Sequence, residues 1–397
     1  MTDDLSPNPA LLPAGLRDLL PPDAETEALS VEALMAVFAG HGYERVKPPL
    51  LEFEDSLLTG TGAAIAEQTF RLMDPATHRM MGLRPDMTPQ VARIAATRLT
   101  NSPRPLRLSY AGACVQAQGG FLVADREISQ VGIELIGPDS PSADAEIIVL
   151  GAQALAAIGL ARFSFDLTLP PLALTLIEEA GIPATARPAL MRALDRKDAA
   201  EVAIHGGSIV RTLTDLLLGA GPAARALEVL DQADLTPGAR ALVERMAASV
   251  AAIQTRAPDL RLTIDPIEFR GWRYHTGLCV TVYAPGRHEE LGRGGRYLSG
   301  GGEPACGLTL RPEAILRAIP PRPVRPRLFL PHGTGASEAG ALRASGYATL
   351  AALDPVGDPA AEAQRLGCTH YLEAGAAVPV VGPSASSFTI LPAVSRS

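Results

Sequence analysis

The stretch YAGACVQAQGGFLVADREISQVGIELIG, Tyr110 to Gly137, reads as two apolar strands joined by a long turn. Its second arm, REISQVGIEL, alternates so that Glu127 leaves one face while Ile128, Gln130, Gly132 and Glu134 share the other. Gln130 and Glu134 flank a glycine, which leaves room for a bound molecule on that face. A solvent-facing polar stripe is the competing reading. Turns of this kind, opening beside a pocket, commonly close over an anion, yet no lysine or arginine occurs from Val115 to Ala124.

Two further segments carry the same kind of signal. In GLRPDMTPQ, Asp86 and Thr88 fall at a strand-to-helix junction, where either residue serves as a helix cap or as a ligand contact. In FRGWRYHTG, Phe269 to Gly277, the expected strand carries Arg270, the single tryptophan Trp272, Arg273, Tyr274 and His275. Charge and aromatic character this dense are unusual for a core strand. Together the three clusters offer carboxylates for an ammonium, an arginine for a carboxylate and polar groups for a side chain. That set suits a free amino acid, provided that three distant segments meet.

Outward from the hairpin, the order of elements predicts an α+β fold with a mixed, mainly antiparallel sheet flanked by helices. TFRLMD and HRMMGLR pair as a hairpin, and helices are expected over about 23–40, from Thr88 onward and over about 142–159. An Ala/Leu-rich helical insertion spans 170–257 within a core of 1–322. The Pro-rich PPRPVRPR links that core to a small α/β domain at 323–397.

Composition narrows the function classes. Hydrophobic residues make up 47% of the 397 residues and aromatics 4%, so the core relies on Leu, Ala, Val and Ile. No apolar run reaches the roughly 18 residues that a membrane span requires. The N-terminal MTDDLSPNPA carries acids where a secretory signal carries bases, which predicts a cytoplasmic protein. Cys114, Cys279, Cys306 and Cys368 form no CxxC pair and the 7 histidines are scattered, so neither a metal nor another cofactor is expected. The net charge is −8, and only Lys47 and Lys197 among the 35 bases are lysines. An acidic chain without a basic run is a poor match for a phosphate backbone, which disfavours nucleic acid as a partner.

Lesser features carry less. HGTGASEAG follows a strand but misses the GxGxxG spacing and reads as a tight turn. HGGS around Ser208 is not a nucleophile elbow, His41 ends a helix, and Lys197 is expected on a solvated helix face.

Taken in order, the segments resemble a class II histidyl-tRNA synthetase core over roughly residues 10 to 320. GLRDLLPPDA matches the N-terminal signature of that family, and GYERVKPPLLEF resembles its motif 1, with Pro49 as the dimer-interface proline. LRPDMTPQVAR and REISQVGIELIG flank and complete motif 2, FRGWRYHTG resembles the histidine-specific RGLDYYTG element, and GRGGRY with EPACGLTLRPEAIL resembles motif 3. The resemblance implies that Asp86, Thr88, Gln130, Glu134, Arg270 and Tyr274 stand at histidine-binding positions, with His275 replacing a tyrosine.

The departures fall on the nucleotide side. Gln116 and Gln118 occupy the positions of the motif 2 arginine and glutamate, and Ala314 that of the motif 3 arginine. Cations aimed at the developing phosphate charge are worth roughly several kcal/mol of barrier, so a degenerate ATP site is implied. A synthetase-like core with a histidine pocket and no adenylation chemistry resembles the regulatory subunits of ATP phosphoribosyltransferase. That resemblance implies a non-catalytic subunit serving the first step of histidine biosynthesis and its feedback regulation. It also implies a short-form catalytic subunit as partner, histidine as ligand, and a homodimer within a hetero-octamer. Whether histidine sits in the synthetase-like pocket or at a subunit interface stays open. The rivals are a divergent histidyl-tRNA synthetase, regaining phosphate contacts through Arg126, Arg311 or Arg317, and a tRNA- or amino-acid-sensing adaptor.

Overall fold

The computed structural model describes residues 11–119, 125–269, 274–320 and 324–380. It falls into two compact units, Met1–Pro320 and Pro321–Ser397. Among the described residues, no helix is long and apolar enough to cross a membrane.

The first unit begins with helix α1 (Asp23–Gly40), the short strands β1 (Glu44–Arg45) and β2 (Leu51–Phe53), and a turn of helix α2 (Glu54–Leu57). Pro48 and Pro49 hold the link between β1 and β2 extended. Strands β3 (Phe70–Met73) and β4 (Met80–Leu83) form the expected hairpin, and β2 joins them in a three-stranded sheet. Helix α3 (Thr88–Thr97) leads to the long strands β5 (Leu106–Val115) and β6 (Glu127–Ile136), then to α4 (Pro141–Ala157) and β7 (Ser164–Thr168).

Helices α5 (Pro171–Glu179), α6 (Arg187–Asp195), α7 (Ala199–His205) and α8 (Val210–Leu218) follow, then strand β8 (Gly221–Pro222), α9 (Ala223–Gln232) and α10 (Pro237–Arg256). The unit closes with β9 (Leu262–Asp265), β10 (His275–Tyr283), β11 (Gly292–Leu298), β12 (Pro304–Leu310) and α11 (Pro312–Ala318).

Nine of these strands make one sheet in the order β1-β5-β6-β12-β11-β10-β7-β9-β8. Every pairing is antiparallel except β1 with β5 and β7 with β9, which bears out the mixed, mainly antiparallel expectation. The period of two along each strand sorts its residues between two cores. Val131, Ile133 and Leu135 of β6 face the main core with Leu34 and Phe38 of α1 and most of α4. A Cβ on Gly151 of α4 would lie 2.2 Å from a Leu308 methyl, so glycine sets how closely that helix sits on β12. The opposite face gathers Met87, Val91, Tyr110 and Tyr297 beneath α3. On this second face Gln130, Gly132 and Glu134 emerge.

The helices α5 to α10 do not form a core of their own. Their apolar residues belong to the main core, and β8, from among them, hydrogen-bonds to β9 at the sheet edge. Lys197 is not on a helix face. It occupies the turn between α6 and α7 with φ 55°, and its Nζ reaches Asp265 at 2.8 Å.

The second unit is a four-stranded sheet, β14-β13-β15-β16, built from β13 (Arg327–Leu330), β14 (Ala348–Ala351), β15 (His370–Glu373) and β16 (Ala376–Pro379). Its two helices are α12 (Ala336–Ala344) and α13 (Pro359–Arg365). Leu328 and Leu330 pack with Ala339 of α12, while Phe329 packs with Ala363 of α13, so the helices cover opposite faces. HGTGASEAG supplies a tight turn from β13 to α12, with Gly333 at φ 85° and the Thr334 hydroxyl donating to the Pro331 carbonyl.

Candidate functional site

Strand register assembles the site. Tyr110, Gly132 and Thr309 stand in one cross-strand row, and Leu108, Glu134 and Gly307 in the next. Residues directly opposite in a ladder point to the same face, so these rows present one surface. A Cβ on Gly132 would fall 2.4 Å from the Tyr110 hydroxyl, and one on Gly307 would fall 2.0 Å from Glu134 Oε2. The space over Gly132 therefore holds the Tyr110 ring. The reading of that glycine as room for a ligand is corrected accordingly.

Glu134 is buried and held by three hydroxyls. Its Oε1 accepts from Thr88 Oγ1 at 2.9 Å and from the Tyr110 hydroxyl at 3.3 Å, and its Oε2 accepts from the Tyr297 hydroxyl at 2.9 Å. The Tyr110 hydroxyl also lies 2.7 Å from Thr309 Oγ1. Burial lifts the Glu134 carboxyl from 4.5 to about 8, and the Asp86 charge adds to the rise while the Thr88 and Tyr297 hydroxyls oppose it. Near neutral pH the group is mostly protonated. An arriving cation would draw the proton off and pull that value back down.

The junction before α3 is fixed by side chains. Asp86 Oδ1 accepts the Thr88 N–H at 3.1 Å, and Gln130 Oε1 accepts the Met87 N–H at 2.9 Å. Asp86 thus makes a local turn bond of the capping type, whereas the Thr88 hydroxyl points inward to Glu134. Burial raises the Asp86 carboxyl, against the hydrogen bonds it accepts from Thr88 and Gln130 and the charge of Arg311. On the far wall Tyr274 stacks on His275, with ring centroids 4.4 Å apart, and meets Tyr297 edge-on at 6.0 Å. Burial drives His275 down from 6.5 to about 3, with the Arg293 charge acting in the same direction, so its imidazole is neutral.

Asp86, Thr88, Gln130, Glu134, Tyr274 and His275 line one cavity of about 360 Å³. Three segments distant in sequence do meet. Arg270 lies outside the described residues, as do Trp272 and Arg273. Tyr297, Thr309 and Arg293 also line the cavity and were missed by sequence reasoning. The glycines around them, Gly132 opposite Thr309 and the mutually opposed Gly295 and Gly307, were the available signal, because a glycine in a strand often marks a close approach.

The three nucleotide-side positions part company. Gln116 lines the cavity, Gln118 is exposed and does not, and Ala314 is buried against the main core. The cavity is nevertheless not free of cations, because Arg293 of β11 and Arg311, just before α11, both line it. They arrive from strands paired across the sheet, which the hairpin loop alone could not reveal. Glu290 sits between them, with Oε1 2.8 Å from Arg293 Nη2 and Oε2 3.4 Å from Arg311 Nη2. Of the other two arginines weighed, Arg126 lies 4.7 Å over the Phe70 ring and donates to the Gln116 carbonyl, and Arg317 pairs with Glu289.

Comparison with known proteins agrees with this architecture. The family model for histidyl-tRNA synthetase matches residues 15–315. An ATP phosphoribosyltransferase regulatory subunit from Gluconobacter oxydans is 58% identical over 94% of this chain and 98% of its own length. One from Paramagnetospirillum magneticum is 53% identical over 92% and 97%. A solved ATP phosphoribosyltransferase regulatory subunit/histidyl-tRNA synthetase from Bacillus halodurans shares the fold, with a TM-score of 0.79 at 24% identity over 90% of this chain and 97% of that one. With a synthetase fold over its first unit and relatives this similar over nearly their whole length, the chain belongs to the histidyl-tRNA synthetase-like family of ATP phosphoribosyltransferase regulatory subunits.

Proposed function

We propose that this protein is the non-catalytic regulatory subunit of a cytoplasmic ATP phosphoribosyltransferase and binds histidine in the cavity beneath α3. The observation that carries the reading is the convergence of Asp86, Gln130 and Glu134 with Tyr274 and His275 around one cavity. Asp86 suits the ammonium of a free amino acid, and the hydroxyl-bound Glu134 with the stacked Tyr274 and His275 suits a planar, hydrogen-bonding side chain. Arg270 is assigned to the carboxylate on the family resemblance. Relatives with 98% of their length covered carry the name of a regulatory subunit, which supports a separate short-form catalytic partner. A homodimer through motif 1, inside a hetero-octamer, belongs to the same proposal.

Activation requires that the subunit bind its partner, and feedback requires that histidine favour one arrangement of the complex. A ligand with equal affinity for both arrangements shifts nothing. The absence of adenylation is part of the proposal. Gln116 and Gln118 are neutral, Ala314 faces the core, and the two cavity arginines share Glu290.

Arg293 and Arg311 favour one rival, a divergent ligase that recruits them for phosphate. A single assay separates the two. The purified protein with ATP, histidine and pyrophosphate is expected to show no isotope exchange, and its addition is expected to raise the activity of the short-form catalytic subunit. Histidine-dependent ATP–pyrophosphate exchange would establish the rival.

A further inference from the structure

The cavity has two chemically different ends. Gly307 of β12 faces Glu134, and the strand continues through Thr309, opposite Arg293, to Arg311. The Arg311 N–H extends the ladder with a 2.8 Å bond to the Leu291 carbonyl, so the alternation carries on and Arg311 shares the face of Gly307 and Thr309. Four residues of strand span roughly 13 Å. Glu134 stands at the first end, whereas Gln130 follows Val131, the partner of Leu310, and so lies beside Arg311, and Asp86 feels the Arg311 charge, so the second end brings the arginines up to the groups assigned to the ammonium.

We propose that Arg311, with Arg293 beside it, forms an oxyanion subsite at that second end. It takes either the carboxylate of the bound amino acid, which the family resemblance alone gives to Arg270, or a separate phosphate group. Arg311 carries the argument. Among the described residues its guanidinium makes no hydrogen bond, and its ion pair is the 3.4 Å approach to Glu290 Oε2. Charge-assisted bonds close to about 2.7–2.9 Å, so this contact leaves the donors of the fork unspent. The other oxygen of Glu290 is drawn to Arg293 at 2.8 Å.

Arginines that serve structure in this protein look different. Arg296 is buried and gripped by Asp144, Asp139 and two carbonyls, and Arg317 makes two contacts to Glu289. Arg311 lines the cavity with a single loose partner. A planar fork held in that way fits a carboxylate or a phosphate better than it fits a structural role. The carboxylate arm rests on the histidine reading above, whereas the phosphate arm does not.

Calorimetry on the full chain tests the proposal, with histidine, histidinol (which lacks the carboxylate), inorganic phosphate and pyrophosphate as probes. If the carboxylate is the occupant, Arg311→Gln weakens histidine by about tenfold or more (~1.4 kcal/mol) and leaves histidinol unchanged. If a separate phosphate is the occupant, the native protein binds phosphate or pyrophosphate and Arg311→Gln does not. In that case Glu290→Gln, which removes the competing carboxylate, binds it more tightly. Arg317→Gln is expected to change none of these affinities, and an equal loss there would overturn the assignment.

The proposal also falls if histidine binds native protein and Arg311→Gln alike while phosphate and pyrophosphate bind neither the native protein nor Glu290→Gln. Should Arg311→Gln melt early, Arg311→Lys, which keeps the charge without the fork, takes its place with the same expected direction. Loss of histidine binding in the native protein, with pyrophosphate binding intact, would remove the histidine reading and leave this one standing.

Discussion

Replacing Glu134 with glutamine keeps the shape of the side chain and removes a proton equilibrium from the middle of the sheet. Burial raises the folded carboxyl from 4.5 to about 8. Below about pH 4.5 both folded and unfolded chains hold the proton, and the contribution of the group to stability is fully present. Between those values the folded state keeps a proton that the unfolded state has released, so stability falls as pH rises through the folded value, by ~1.4 kcal/mol per pH unit. From pH 6 to pH 8.5 the native protein should therefore lose about 2–3 kcal/mol that the Glu134→Gln variant does not lose. Urea unfolding of both proteins at matched ionic strength, taken every half pH unit, gives the difference curve. Titrating groups that do not interact with Glu134 cancel in that difference, and Asp86, whose charge raises Glu134, adds only a second-order term. A flat curve over this range, or one that rises with pH, would mean that the hydroxyls of Thr88, Tyr110 and Tyr297 hold the carboxylate ionised, and the argument from burial would fail.

Two further expectations follow from the same cavity. Gly307→Ala places a methyl where Glu134 Oε2 now lies, 2.0 Å away, and should cost about 1–3 kcal/mol in unfolding free energy while abolishing histidine binding by calorimetry. His275, held near 3 by burial, should show no change in its ring nitrogen shifts between pH 5 and 8 by NMR, and a titration in that range would refute the burial argument.

How far the sequence could be read depended on the range of the interaction. Alternation in REISQVGIEL is a local property, and it placed Gln130 and Glu134 on one face because a strand has a period of two. The two carboxylates and the aromatic pair were visible because such residues are out of place in strands and junctions. Tyr110 and Tyr297 looked like ordinary core residues. Their hydroxyls acquire a role only through the registers of β5 with β6 and of β11 with β12, which no single segment encodes. The same limit explains why Arg293 was not foreseen in the cavity. The loop from Val115 to Ala124 is free of cations, but Arg293 stands opposite Thr309, two strands from that loop's own hairpin. Lys197 failed for a different reason, because its left-handed turn ends one helix where the charge pattern suggested continuity.

The two-residue strand β8 has a bearing on how the whole first unit comes apart. It pins the segment carrying α5 to α10 to the rim of the nine-stranded sheet, and the apolar side of α10 interlocks with α4 and α5. A flap tethered at both stems, stitched at mid-length and glued along its underside has no seam at which solvent can enter first. Amide protons of α10 should then wait for the same rare opening event as those of α4 beneath it, and a protease should find no early cut that frees the helices from the sheet.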